Sequence, residues 1–276
     1  MGRPSLAAVT SQATMPAETP AAEFRKVGKV FHGRAGAVQV IDGLSLAVRE
    51  GEFLAMVGPS GSGKSTFLNL LAGLDRPTSG AVACGGKPIT AINTDVGYLT
   101  QHDSLLPWRT VEENIAVPLE LQHVSRSEQA VRVREMMAQV GLSGFEKHYP
   151  SQLSGGMRKR AMLARTLIYD PHILLMDEPF GPLDAQLKLI MQAELLKLWS
   201  ARRKTVVFVT HDIVEAITLA DRVIVLSARP SRIKLEETIR IARPREVHEV
   251  RFDPAFEDHY RRLWAALDAP VLGSRP

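Results

Sequence analysis

The stretch "LAMVGPSGSGKSTFLNLLAGL", Leu54 to Leu74, decides the fold. It opens as a short apolar run, breaks into a glycine-rich loop, and continues with helical spacing. Gly58 to Thr66 fits G-x-x-x-x-G-K-[ST] and stands where that motif must stand, between a strand and a helix. Glycines at 58, 61 and 63 let the backbone wrap phosphates, and Pro59, Ser60 and Ser62 complete the loop whose N–H groups face them. Lys64 can reach the terminal phosphates, and the Ser65 hydroxyl can ligate Mg²⁺, with Thr66 beside it. The motif predicts a nucleoside triphosphate site.

Outward from this loop, "VQVIDGLSLAV" and "GEFLAMVG" are strand-like pieces bounded by glycine, and residues 80 to 100 hold more of the same. Residues 110 to 168 carry helical spacing instead, notably "SEQAVRVREMMAQVGL", which Gly141 closes. The chain then returns to "HILLMD" and "TVVFVT", buried-strand runs separated by the amphipathic "LDAQLKLIMQAELLKLWSARR". Strand, helix and strand in that order predict a parallel sheet, so the core is α/β with a helical insertion. Past "DRVIVLS" the tail from Arg229 is short and charged, then forms "FEDHYRRLWAAL". There Phe256, Tyr260, Leu263, Trp264 and Leu267 share a helical face, which predicts docking onto the core.

With 276 residues, 45% of them hydrophobic, the chain can bury one large core or two joined lobes. The formal net charge of +4 is spread along the chain, so basicity alone does not point to nucleic acid. The single cysteine, Cys84, excludes an internal disulfide and a Cys-based zinc site, and it reads as a small buried residue. Residues 1 to 22, rich in Ala, Thr, Ser and Pro, read as a flexible leader without a signal-peptide core. No run approaches the ~20 apolar residues of a membrane span, which predicts a soluble, cytoplasmic chain.

Asp177 and Glu178 end the strand "ILLMD", so in a doubly wound sheet both stand beside the phosphates. Asp177 can hold Mg²⁺ through water, and Glu178 can polarise an attacking water, a role worth about 10²–10⁴-fold. Asp184 in "GPLD" lies close by in sequence. His211 follows "TVVFVT" and reaches the same sheet edge, as a polar sensor of the γ-phosphate rather than a metal ligand. Gln101 follows the strand-like "VGYLT"; its amide can contact Mg²⁺ or its water, or lie solvated in a loop. Beyond it, Pro107 and Trp108 read equally as a rigid docking surface or as core packing.

"LSGGMRKR", Leu153 to Arg160, puts three cations in the first turns of a helix, where the dipole already carries positive charge. Each poorly placed charge costs about 0.3–1 kcal/mol, so either an anion is expected nearby or the cations point into water.

The phosphate loop 58–66, Gln101, "LSGGM" at 153–157, "ILLMDEP" at 173–179, "LD" at 183–184 and His211, in this order, resemble the ATP-binding cassette (ABC) ATPases over roughly residues 24 to 228. The resemblance implies a P-loop NTPase (RecA-like) core with an antiparallel β subdomain and an α-helical subdomain at about 102–168. The cassette would occupy 23–228, with 229–276 as an extension packed on it. ATP would lie between two copies arranged head to tail, the Walker A loop of one facing the signature of the other. On this sequence Phe31 resembles the aromatic that stacks on adenine. Ser154, Gly155 and Gly156 resemble the signature that takes the other copy's γ-phosphate, Glu178 the catalytic base, His211 the switch histidine, and Gln101 the link to the membrane partner. A buried strand-edge role for Phe31 is equally ordinary.

Met157 departs from the family's usual glutamine. With "LLPWRTVEENIAVPLEL" and "DEPFGPLD", it is similar to the nitrate, sulfonate and taurine branch of importer ATPases. That likeness implies a subunit on the inner face of the cell membrane, driving separate transmembrane permease subunits and, through them, a solute-binding protein. The alternative is a soluble cassette ATPase working on nucleic acid or ribosomes. Against it, the chain carries neither a long coiled-coil insertion nor a second cassette, and no nucleic acid is expected as a partner.

Overall fold

The computed structural model describes residues 19–33, 36–181 and 183–268; most of the leader expected at 1–22 lies outside them. Two sheets organise the chain. The strands β1 (Ala22–Gly33), β2 (Gly36–Val48), β4 (Ser79–Cys84) and β5 (Lys87–Pro88) form an antiparallel sheet in the order β2-β1-β4-β5. Ala21 and Ala22, ahead of the expected start of ordered structure near Phe24, are already buried.

The second sheet runs β10-β9-β3-β8-β7-β6, with β3 at Phe53–Val57, β6 at Val96–Leu99, β7 at Ile173–Asp177, β8 at Thr205–Val209, β9 at Arg222–Leu226 and β10 at Ile233–Thr238. All neighbours are parallel except β10, which pairs antiparallel to β9. The central strands are apolar throughout because both faces are covered, and their side chains alternate between two cores. Phe53, Ala55, Val57, Leu174, Met176, Val206 and Phe208 enter one. Leu54, Met56, Ile173, Leu175, Val207 and Val209 enter the other, together with α1 (Lys64–Leu71) and the antiparallel sheet. Phe24 of β1 stacks on Phe67 of α1 at 3.8 Å between ring centroids, tying the two sheets together.

The first core also takes α2 (Val111–Leu121), α3 (Arg126–Gln139), α4 (Gly155–Leu167), α5 (Ala185–Arg202), α6 (Ile213–Leu219) and α7 (Pro254–Asp268). Helix α2 starts at a full capping box: Thr110 accepts from the Glu113 N–H while Glu113 accepts from the Thr110 N–H. Its buried residues Val111, Ile115 and Leu119 recur every four positions, so one face packs on α4. Asn114, fully buried, accepts from the Leu106 N–H and donates to the Leu106, Arg109 and Thr110 carbonyls, fixing the loop that follows Gln101.

The last helix differs from the expected docking face. Phe256 and Leu263 are buried, but so is His259, which meets Glu237 at 2.6 Å and accepts from the Arg240 N–H. Trp264 instead stays 55% exposed and stacks on Tyr260. A buried His satisfied on both ring nitrogens serves the interface as well as an apolar residue, which hydrophobic spacing alone does not reveal. Cys84 is half-buried rather than buried, and that burial pushes its thiol pKa up.

Candidate nucleotide site and signature helix

Because β3, β8 and β7 are neighbours, the segments leaving their C-terminal ends come to one edge. From β3 issues the phosphate loop. Gly61 and Gly63 hold φ of +76° and +88°, where a side chain is strained. A Cβ on Gly63 would also stand 2.8 Å from Val40 Cγ1. Lys64 is buried and donates to the carbonyls of Gly58 at 2.8 Å and Pro59 at 3.1 Å. Burial lowers its pKa, while Glu178 and Asp177 oppose that shift. Among the described residues, the Ser62 hydroxyl, fully buried in the loop, has no hydrogen-bond partner.

From β7 issue the two carboxylates. Asp177 is buried and its pKa is raised by that burial, with the Ser65 hydroxyl bond pulling the other way. Glu178 adopts φ of +43°, in the left-handed region, with its N–H bonded to the Val209 carbonyl at 2.9 Å. A non-glycine residue in that region is strained. From β8 issues His211, whose Nδ1 lies 3.0 Å from Glu178 Oε2. Gln101, from the end of β6, donates to the same oxygen at 3.5 Å. Glu178, His211 and Gln101 thus converge on one point of the sheet edge. Such a carboxylate, fixed by a histidine and an amide beside a phosphate loop, can order a water for attack on a phosphoryl group.

The remaining sequence-predicted residues are placed as follows. Phe31 on β1 is 39% exposed, with Lys29 Nζ 4.5 Å from its ring centroid, so it is not a buried strand-edge residue. Trp108 is 71% exposed, which removes the core-packing alternative. Asp184 caps α5 by accepting from the Leu187 N–H at 2.9 Å. Ser154 caps α4 in the same way through the Met157 N–H. Among the described residues, no hydrogen bond joins Ser154, Gly155 or Gly156 to the phosphate loop of the same chain.

The signature cations follow neither expected alternative, a nearby bound anion or side chains pointing freely into water. Arg158 pairs with Asp103 at 3.0 Å and donates to the Leu153 carbonyl. Arg160 pairs with Glu194 of α5 at 2.8 Å. Lys159 is buried and donates to the main-chain carbonyl of Gln101 at 2.7 Å. All three are bonded within the chain, the two arginines to carboxylates and Lys159 to a main-chain carbonyl. Sequence reading missed Lys159 in this role, since its partner lies 58 residues away and is a backbone atom.

Fold and site together define a phosphate-loop nucleotide-binding protein. Residues 41–181 match the family described as ABC transporter. An uncharacterised ABC transporter ATP-binding protein of Methanocaldococcus jannaschii is 48% identical over 224 residues, covering 81% of this chain and 84% of that one. The nitrate import ATP-binding protein of a Synechocystis species is 41% identical, over 85% of this chain and 90% of its own length. The taurine import ATP-binding protein of Burkholderia pseudomallei is 42% identical, over 87% and 94% respectively. A solved dimeric bacterial ABC transporter cassette superposes with a TM-score of 0.71 at 33% identity, over 80% of this chain and all of that one. The same cassette in a post-hydrolysis state, solved with ADP and Pi, superposes equally well. The chain belongs to the ABC transporter family and is an ATP-binding, ATP-hydrolysing subunit. No helix among the described residues is long and apolar enough to cross a membrane.

Proposed function

We propose that this subunit energises the import of a small anionic or organic solute, in the class of nitrate, sulfonates or taurine, through separate transmembrane permease subunits fed by a solute-binding protein. The importers named among its relatives support this class. In this reading residues 23–228 are the motor, the helical unit at about 102–168 meets the permease on the inner membrane face, and 229–276 is an accessory extension. The exposed Trp108, next to the loop that Asn114 fixes, suits such a meeting.

The observation that carries the catalytic assignment is the convergence of His211 and Gln101 on Glu178 Oε2. Glu178 is the general base, accepting the proton of the attacking water. His211 orients Glu178 and senses the γ-phosphate, and Gln101 reports occupancy to the helical unit through Lys159. The loop 58–66 holds the phosphates, Phe31 the adenine, and Asp184 supports the turn that follows Glu178. Ser65, Asp177 and Gln101 offer hard oxygen donors, a hydroxyl, a buried carboxylate and an amide, which suits Mg²⁺. Bound there, the ion would neutralise phosphate charge.

Ser154, Gly155 and Gly156 face no nucleotide of their own and are assigned to ATP held by a second copy. Replacing Glu178 by Gln tests the reading. ATP-dependent dimerisation should persist while hydrolysis falls by about 10²–10⁴-fold, and undiminished hydrolysis would remove the base assignment. Co-purification with the permease, and stimulation by a solute-loaded binding protein, identifies the solute.

A further inference from the structure

The charged tail that begins at Arg229 is not used by any step above, yet its first residue returns to the phosphate loop. The turn between β9 and β10 carries "SARPSR", Ser227 to Arg232. It is pinned to β2: the Ser231 N–H donates to the Val40 carbonyl at 2.8 Å, and the Asp42 N–H donates to the Ser231 carbonyl at 3.1 Å. Arg232 adds an ion pair to Asp42, and the buried Ser227 hydroxyl accepts from the Arg232 N–H. Val40 in turn packs against Gly63. The turn, β2 and the phosphate loop are therefore fixed to one another.

From this turn the exposed Arg229 side chain lies over Gly61. Its Nη2 stands 2.6 Å from where a Cβ on Gly61 would be, with Cζ and Nε at 3.5 Å. The φ of +76° favours glycine at 61, and the guanidinium lies in the space that a side chain there would enter. Arg229 takes part in no hydrogen bond or ion pair among the described residues, whereas Arg222, Arg232, Arg243 and Arg245 around it are all bonded. An unpaired guanidinium lying beside a phosphate loop can make a charge-assisted, forked bond to phosphate.

We propose that Arg229 is a further nucleotide-binding residue, whose guanidinium donates to phosphate oxygens of the ATP held by its own chain's loop. This rests on the assignment of loop 58–66 to ATP, and it gives the segment after β9 a part in the site. A cation added at the loop's outer side strengthens binding of both ATP and ADP, and does so most at low salt.

The test is calorimetric titration of the full chain with ATP and with ADP at low and high salt, for wild type, Arg229→Ala, Arg229→Lys and Lys64→Ala. Arg229→Ala should weaken both nucleotides by about tenfold, the loss shrinking as salt rises. Arg229→Lys should recover only part, because an ammonium lacks the fork. A nucleotide-free melt of Arg229→Ala should match wild type; if it does not, the comparison of Arg229→Lys with wild type decides. Wild-type affinity in Arg229→Ala, with binding lost in Lys64→Ala, would overturn the role of Arg229 and leave the loop assignment standing. Wild-type affinity with loss of ATP-dependent dimerisation would also overturn it, placing the guanidinium against the second copy. Absence of binding in the wild type would overturn the loop assignment itself.

Discussion

Gly155 and Gly156 are adjacent in sequence and opposite in surroundings, so exchanging each for alanine separates folding from function. A Cβ on Gly155 would meet only Arg158 Nη2, at 4.0 Å. Its backbone is already helical, so Gly155→Ala should stabilise the nucleotide-free chain by about 0.5 kcal/mol through reduced chain entropy. For a domain of this size that is a rise of roughly 1–2 °C in melting temperature. A Cβ on Gly156 would instead stand 2.7 and 2.9 Å from the two terminal methyls of Leu187 on α5. Contact distance is near 3.5–4.0 Å, so Leu187 or the first turn of α4 must give way by about 1 Å. Such overpacking costs about 1–3 kcal/mol, a fall of roughly 2–10 °C. Melting curves without nucleotide, followed by ATPase assays and ATP-dependent dimerisation on a sizing column, read both effects. Gly155→Ala should fold at least as well as wild type and yet lose turnover, because in the proposed sandwich its methyl would occupy the space through which a second copy's phosphate approaches the helix start. Undiminished turnover in a stabilised Gly155→Ala would refute the shared site.

Arg222 binds Glu52 through two bonds of 2.7 and 2.8 Å, both side chains being nearly fully buried. Arg222→Met leaves Glu52 without a counter-charge and should cost about 3–5 kcal/mol in chemical denaturation, most of it recovered by adding Glu52→Met. Lys159→Met should leave ATP affinity intact and lower kcat about tenfold, the value of one charge-assisted bond, because the Gln101 loop loses its tie to α4. Burial alone would raise the Asp212 pKa, but Lys188 and the Val214 and Glu215 N–H groups hold it below the ordinary value. A lowered folded pKa means the stabilisation is full above the unfolded value near 4 and is lost as pH falls through the folded value. Melting temperature should therefore drop faster below about pH 4 in wild type than in Asp212→Asn.

How much of this was legible in the sequence depended on the range of the interaction. The strand, loop and helix at 54–74, the apolar runs of β7 and β8, and the positions of Asp177, Glu178 and His211 at their ends are local patterns. Local period and glycine placement determine them, and the parallel pairing then gathers them at one edge. Trp108, with two readings open in the sequence, needed the exposure that only packing supplies. The partners of Arg158, Lys159 and Arg160 come from Asp103, the Gln101 carbonyl and Glu194. These groups lie far from the cations in sequence, and nothing in a helix period says which acidic or backbone atom will face it. His259 is buried where the apolar spacing did not mark it for the same reason: Glu237 of β10 arrives from another element.

That reassignment of the cations changes what the helix start offers a second copy. If the arginines and lysine compensated a partner's ATP, their charge would carry the attraction. Each is already bonded inside its own chain, and Lys159 is committed to Gln101. What remains for an incoming phosphate is the hydroxyl hydrogen of Ser154, whose oxygen already accepts from the Met157 N–H, and the Gly155 and Gly156 N–H groups, which have no partner among the described residues. Those groups form the positive end of a helix dipole, a weaker and shorter-ranged attractor than three free cations. Attraction of that kind acts within about one turn, so it rewards correctly seated ATP and does little to draw cassettes together from a distance. Lys159 links this helix to the Gln101 carbonyl, and Gln101 donates to Glu178, so in the proposed reading a phosphate seated on one copy's signature would be felt at that same copy's proposed catalytic carboxylate. In the proposed sandwich, each chain's hydrolysis would then be conditional on the ATP its partner holds.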